Sequence, residues 1–179
     1  MAGRPPKLLD REGLMNYAAR ALTSRALSLN ELRDRLKRRA ARKEDVPEVI
    51  AHLKEAGYLN DRKLADSFAN WRRENQGFGK NRVMSDLMAR RIAPAVAKQA
   101  VETAYAGVDE VALIENFLTR KYRGKNLGEL LSEQKTLASA FRRLRGAGFS
   151  PGNSIRVLKR YAADADGLEE MGEVGETES

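Results

Sequence analysis

The sequence predicts an all-α protein: an elongated array of three tandem three-helix repeats, followed by a disordered acidic C-terminal tail. Strong helix formers dominate the chain, and runs in which apolar and polar residues alternate as in a strand are absent. A basic helix followed by a proline recurs three times. Residues 164–179 hold acidic but no basic side chains and few apolar ones, so they are expected to repel one another and stay disordered.

The repeated feature is the middle helix of each predicted three-helix repeat. These helices are expected at residues 28–39, 80–91 and 136–145. Each has apolar residues at helical spacing, ends in a basic cluster and precedes a proline. The prolines are Pro47, Pro94 and Pro151. Such a pattern is typical of stacked units that bury their apolar faces on one another, and the alternative is a helical protein whose helices look alike by chance.

The repeat pattern also predicts where the parts of the chain begin and end. We expect a flexible N-terminus at 1–13, three-helix repeats at 14–59, 60–107 and 108–163, and the acidic tail at 164–179. Residues 123–135 break the pattern of the third repeat. Gly124 and Gly128 bracket a short apolar piece there, so we interpret this segment as an insertion that forms one extra helical turn.

Local signals predict how several helices begin and end. Ser28 and Glu31 form a capping box at the start of the second helix, and Asp45 and Glu48 are spaced for a second one. Gly57 follows the last apolar position of the third helix, where a left-handed C-terminal cap is expected. In the last repeat, Ser150 directly precedes a proline, which predicts a cap followed by proline in the first helical turn.

Three aromatic residues have predicted positions. Trp71 lies at helical spacing from Leu64 and Phe68, so we expect it in the core rather than stacked on a base. Tyr58 follows a capping glycine and is expected to pack between the first and second repeats. Phe78 lies in a Gly-Phe-Gly turn, where it is either an exposed partner contact or a buried anchor.

The charge of the chain predicts an acidic or polyanionic partner. The net charge is +8, but residues 1–163 alone carry +15, because they hold all 33 basic residues and only 18 of the 25 acidic ones. A body this basic attracts nucleic acid or the acidic face of another protein. The alternative is that these basic residues form a solvated surface that only keeps the protein soluble.

Other features exclude several classes of function. There is no cysteine, so no disulfide or thiolate metal site is expected. His52 is the only histidine, which predicts a surface histidine rather than a metal ligand and leaves no Ser/His/Asp grouping. No apolar stretch is long enough to span a membrane, and no signal peptide is evident. We therefore expect a cytoplasmic protein that is not an enzyme and holds no cofactor or metal.

The candidate binding residues are basic side chains near the ends of the predicted helices. An array of repeats would present them in a row along one face, and arginine forks suit phosphate and carboxylate oxygens alike. The pattern therefore leaves open whether DNA or an acidic protein surface is bound. The candidates are Arg33, Lys37, Arg38, Arg39, Arg72, Arg73, Lys80, Arg82, Arg90, Arg91, Arg142, Arg143 and Arg145.

Several short motifs follow one another in a fixed order along the chain. They are 28–32 (SLNEL) with Leu36, 57–61 (GYLND), Ala65, Phe68, the turn at 77–79, Arg82, Leu87, Ile92, 148–150 (GFS), Ile155 and Leu158. Each motif is short, so the specificity of the set comes from the order and spacing of its members. Together they resemble the RecX family of bacterial RecA modulators, and the resemblance covers roughly residues 14–162.

This resemblance implies a fold and a role. Proteins of the family look like curved arrays of three three-helix repeats that lodge in the groove of the RecA filament on single-stranded DNA. They restrain ATP turnover, strand exchange and repressor cleavage, and they are not enzymes. The implied partner is thus the RecA filament, with bare DNA as a further partner of the basic face, and we expect a monomer. The alternative is a stand-alone basic helical DNA-binding protein of the helix-turn-helix type.

Overall fold

The computed structural model describes residues 8–162 as a chain of α-helices. The predicted acidic tail and the first seven residues lie outside the described part. Between residues 8 and 162 there is no strand, only an isolated bridge between Leu9 and Ala40, so the all-α prediction is confirmed. The helices are α1 (Arg11–Ser24), α2 (Leu29–Lys37), α3 (Asp45–Glu55), α4 (Asp61–Trp71), α5 (Lys80–Ala89), α6 (Pro94–Ala104), α7 (Glu110–Lys121), α8 (Leu127–Leu131), α9 (Gln134–Gly146) and α10 (Pro151–Leu158).

The described residues form two compact units. Unit one holds residues 8–68 and Asp86–Ala100, and unit two holds Ala69–Ser85 and 101–162. Helices α4, α5 and α6, which were expected to form the second repeat, each continue from one unit into the other. The boundaries of the three sequence repeats therefore remain predictions.

The core of unit one lies between α1, α2 and α3. Leucine, valine, isoleucine and alanine fill it, with no aromatic side chain among its fully buried members. Burial of these aliphatic faces provides the main drive for packing the three short helices. The central members are Leu14, Ala18, Leu32, Leu36, Val49, Ile50 and Leu53.

The predicted helix ends of unit one are confirmed at two places and wrong at one. Ser28 Oγ accepts from the Glu31 amide at 3.1 Å, and Glu31 Oε2 accepts from the Ser28 amide at 2.8 Å, as in a capping box. Gly57 ends α3 with a left-handed φ of 77°. The capping box expected at Asp45 does not form, because the Asp45 carboxylate is buried against the Arg42 guanidinium at 3.3 Å.

The core of unit two is built on α7, α9 and α10. The Phe117 and Phe149 rings meet edge to face, with their centroids 5.5 Å apart. The segment at 123–135 contains the five-residue helix α8, whose Leu131 is completely buried in this core. The segment at 123–135 thus forms the extra helical turn that was expected, and this turn contributes a residue to the core.

Two aromatic predictions are wrong. Trp71 is 49% exposed and Tyr58 is 70% exposed. On α4 the completely buried residues are Ala65 and Ala69, so small side chains form the buried stripe, and Trp71, two residues beyond Ala69, points to the opposite side. The neighbouring Arg72 guanidinium lies 5.8 Å from the Trp71 ring centroid and stacks on it instead.

Glu110, the first residue of α7, holds the start of α10 in unit two. Its carboxylate accepts from the Ser150 amide at 3.0 Å, from Ser150 Oγ at 2.6 Å and from the Asn153 side-chain amide at 2.5 Å. Burial alone would raise the pKa of this carboxyl group, but these donors and the charge of Lys80 lower it below its ordinary value of 4.5. Ser150 also caps α10 ahead of Pro151, as predicted.

The lowered pKa of Glu110 predicts a pH dependence of stability. The carboxylate stabilises unit two fully above its ordinary pKa, and this contribution is lost as the pH falls through the lower pKa of the folded state. We expect Glu110→Gln to cost about 1 kcal/mol at neutral pH, after screening at this partly exposed site, and this cost should shrink as the pH falls from 4.5 through the lower pKa of the folded state. Urea unfolding of wild type and variant between these pH values measures the difference, and a constant gap at all pH values would contradict it.

Candidate polyanion-binding surface

The basic residues singled out from the sequence differ sharply in what their side chains contact. All of them lie in the described part of the chain. Some are exposed without an ion pair, some stack on aromatic rings, and some are held by acceptors inside one unit. Only cations of the first kind keep their full charge available for an external partner.

Unit one presents a cationic groove between α2 and α3, here called the α2–α3 groove. It has a volume of about 460 Å³. Its positive side chains are Arg33, Lys37, Lys43 and Lys54, and no carboxylate is among the described residues that line it. Its apolar lining comes from Leu29, Val46, Pro47, Ile50 and Ala51.

Two of these cations were missed by sequence reasoning. Lys54 has no adjacent basic residue, and Lys43, which follows Arg42, lies beyond the predicted helix at 28–39, so neither belongs to a basic cluster at the end of a predicted helix. Helical spacing was the signal that could have found them, because Lys43, Pro47, Ile50 and Lys54 recur at intervals of four, three and four along α3 and the residues before it. Arg33 and Lys37, which were predicted, lie opposite on α2, one helical turn apart.

Arg38 and Arg39 follow the end of α2 and differ from each other. Arg38 is exposed, and its side chain makes no hydrogen bond or ion pair within the described residues. The Arg39 guanidinium lies 5.2 Å from the centroid of the Tyr17 ring and is partly covered. Arg38 is therefore the more available of the two charges.

Arg90 is a structural residue of unit one. Its side chain is only 19% exposed and pairs with Glu31 Oε2 at 3.2 Å. It also donates to the Ala26 carbonyl at 2.6 Å and lies 5.4 Å from the centroid of the Phe68 ring. Its own carbonyl accepts from Ser28 Oγ at 2.6 Å. The contacts of this guanidinium thus connect the end of α5 with the start of α2.

Arg91 also contacts α2, at the surface of unit one. Its guanidinium pairs with Asp34 Oδ2 at 2.5 Å, and its carbonyl accepts from the Asn30 side-chain amide at 2.9 Å. The backbone of Arg91 has a φ of 58°, the left-handed conformation that often ends a helix. The side chain is 66% exposed, so its charge is only partly occupied by Asp34.

On α9 of unit two, Arg142 and Arg143 are exposed side by side. Neither side chain makes a hydrogen bond or an ion pair to any residue between 8 and 162. Arg145 differs, because it donates to the Phe149 carbonyl at 2.8 Å and so fastens the turn after α9. Of this predicted cluster, two charges are therefore available and one is structural.

Phe78 lies at the centre of a second cationic group in unit two. The Arg72 and Arg82 guanidinium groups lie 5.5 and 5.8 Å from its ring centroid. The ring is partly buried against the core of the unit, which favours the anchor over the exposed contact. Tyr105 donates to the Phe78 carbonyl at 2.5 Å, and burial raises the pKa of this phenol to about 12 although the charge of Arg73 lowers it.

The remaining two candidates also lie in unit two. Arg73 donates to the Ala104 carbonyl and pairs with Glu74 at 2.6 Å, so it is largely occupied. Lys80 is exposed at the start of α5. His52 is exposed, and no group of residues suited to a metal ion occurs within the described range. No helix between residues 8 and 162 is long and apolar enough to cross a membrane.

Comparison with known proteins identifies the family. A family model described as "RecX, second three-helix domain" matches residues 60–101. The Regulatory protein RecX of Deinococcus radiodurans is 32% identical over 150 residues, which cover 82% of this chain and 68% of that protein. The chain belongs to the RecX family. The Regulatory protein RecX of Herminiimonas arsenicoxydans is 30% identical over 133 residues, or 74% of this chain and 82% of the relative.

Solved RecX structures share the fold. The crystal structure of RecX from Lactobacillus salivarius matches with a TM-score of 0.64 and 18% identity, over 84% of this chain and 96% of that one. A second crystal structure, of a regulatory protein RecX, matches with a TM-score of 0.59 and 15% identity over 82% of this chain and 72% of that one. The resemblance drawn from the short sequence motifs is thereby confirmed at the level of family and fold.

Proposed function

We propose that this RecX family member regulates RecA by binding the RecA filament on single-stranded DNA in its groove. Bound there, it inhibits ATP hydrolysis, strand exchange and repressor cleavage, and it catalyses no reaction itself. The observation that carries the proposal is the 32% identity over 150 residues to a protein named Regulatory protein RecX.

The distribution of charge supports this proposal. Each unit has exposed cations without a partner in the described chain: Lys37 and Arg38 in unit one, Arg142 and Arg143 in unit two. A nucleoprotein filament is a polyanion, and unpaired surface cations raise both the rate and the strength of binding to it. Cations already paired inside a unit would have to give up a partner first, so they contribute less.

The proposal is tested by measuring RecA ATP hydrolysis on preformed filaments while this protein is added. Binding to bare single-stranded DNA is measured in parallel across a range of salt concentrations. Inhibition at protein concentrations well below that of RecA, with weaker binding to bare DNA, would support filament regulation. The absence of inhibition, together with tight and salt-sensitive binding to bare DNA, would instead support a stand-alone DNA-binding protein.

Reversing the two free charges of α9 should weaken inhibition without affecting the fold. For Arg142→Glu with Arg143→Glu we expect half-inhibition to need roughly tenfold more protein at physiological salt, because both exposed charges change sign. The melting temperature should stay within a few degrees of wild type, since neither side chain has a partner in the described chain.

A matched control shows whether position or only net charge matters. Lys121→Glu with Lys125→Glu makes the same change of charge at exposed positions of unit two that were not predicted to bind. This control should shift half-inhibition by less than about threefold. Equal loss of inhibition in both double variants would count against a specific role for the α9 arginines.

A further inference from the structure

The α2–α3 groove carries positive charge that unit one does not neutralise. Lys37, Lys43 and Lys54 are exposed and form no hydrogen bond or ion pair within the described part of the chain. Arg33 donates to the uncharged Asn30 side chain at 2.9 Å. All four therefore keep a full charge facing the same groove of about 460 Å³.

The carboxylates nearest along the chain are directed elsewhere. Asp45 pairs with Arg42 at 3.3 Å, and Glu48 pairs with Arg11 at 3.2 Å. On α2, the Asp34 carboxylate forms an ion pair with the guanidinium of Arg91. Glu44 and Glu55 are exposed and do not line the groove. This arrangement leaves positive charge concentrated in the groove, and a negatively charged partner can neutralise it.

Between these cations the groove is aliphatic. Val46 and Ile50 form its floor, being 1% and 5% exposed, and Pro47 and Ala51 lie more openly beside them. No aromatic side chain is among the described residues that line it. A cationic rim around an aliphatic floor complements a ligand that combines negative charge with aliphatic side chains.

We propose that the α2–α3 groove binds an acidic protein segment carrying aliphatic side chains. Carboxylates of the segment would pair with the four cations of the rim, while its aliphatic side chains would cover the floor. Single-stranded nucleic acid fits less well, because its bases stack on aromatic side chains and this groove offers none. The inference deepens the proposed function by naming how a protein partner is held, and it rests on that function only for the identity of the partner.

The test needs no RecA, so its failure is separate from a failure of the proposed function. The probe is a fluorescein-labelled peptide of repeated Glu-Glu-Leu triplets, whose binding to the full chain is followed by fluorescence anisotropy. A peptide of Glu-Glu-Ser triplets has the same charge without the aliphatic side chains. We expect the leucine peptide to bind about tenfold more tightly than the serine peptide.

A variant locates the binding. Lys43→Glu with Lys54→Glu should weaken binding of the leucine peptide about tenfold. The control is Arg20→Glu with Arg62→Glu, which reverses two exposed charges of unit one outside the groove. This control should change binding of the leucine peptide less than about twofold. Circular dichroism should show unchanged helix content in both. Equal binding of the two peptides, or equal loss in both variants, would overturn the proposal. So would an oligothymidylate that binds more tightly than the leucine peptide and depends on the same two lysines.

Discussion

Gly148→Ala is expected to reduce the free energy of unfolding of unit two by about 3 kcal/mol. Gly148 has a left-handed φ of 89°, which strains any residue with a Cβ atom. A Cβ at this position would also lie 2.2 Å from the Arg82 amide nitrogen, where backbone rather than a flexible side chain blocks it. Neither effect can be relieved by a rotamer change.

A Cβ atom has no room at Gly148 because two chain segments cross there with their backbones in contact. The Gly79 amide donates to the Ala147 carbonyl at 2.8 Å, and the Asn81 amide donates to the Gly148 carbonyl at 3.2 Å. A Cβ on Gly79 would lie 2.3 Å from the Gly148 carbonyl oxygen, so both glycines are needed for the approach. Substitution at Gly148 therefore disturbs the join between the start of α5 and the end of α9.

Gly152→Ala is the matched control for this prediction. Gly152 lies in α10 of the same unit, and a Cβ there would meet nothing within 4 Å. Alanine at a helical position should stabilise the protein by about 0.5–1 kcal/mol. Urea unfolding followed by circular dichroism compares the two variants with wild type. A loss below about 1 kcal/mol for Gly148→Ala would show that the crossing relaxes easily.

Arg90→Glu is expected to destabilise unit one by about 3 kcal/mol, because the reversal places a carboxylate against Glu31 in a largely buried pair. It also removes the hydrogen bond to the Ala26 carbonyl and the stacking on Phe68. Arg90→Lys should cost less, since the ammonium keeps the charge but cannot maintain the planar contacts. Thermal unfolding of the two variants beside wild type measures the difference.

The Arg90 variant distinguishes a structural from a direct cause of any loss of the proposed RecA inhibition. If Arg90→Glu lowers inhibition, we expect a matching loss of folded protein at the assay temperature. The Arg142 and Arg143 double reversal should lower inhibition in a protein that stays folded, because those side chains have no partner between residues 8 and 162. An Arg90→Glu protein with wild-type stability and no inhibition would make Arg90 a direct contact to the filament.

Several features of the fold were predictable because they depend on residues close in sequence. The Ser28–Glu31 capping box, the left-handed Gly57 and the cap at Ser150 each involve hydrogen bonds or backbone angles within about four residues. The family was recognisable for the same reason, since its short motifs mark such helix ends. The second capping box was wrong because a competing pair, Arg42 with Asp45, took the carboxylate.

Other features were decided only by the tertiary structure. The sequence by itself determined that the chain is helical, where several of its helices end, to which family it belongs and that its body carries an excess of positive charge. It could not determine that Arg90 reaches Glu31, that Gly79 meets Gly148 or that Lys43 and Lys54 join Arg33 around one groove. These outcomes, like the exposure of Trp71, depend on which helix faces meet, and packing against residues far away in sequence sets that choice.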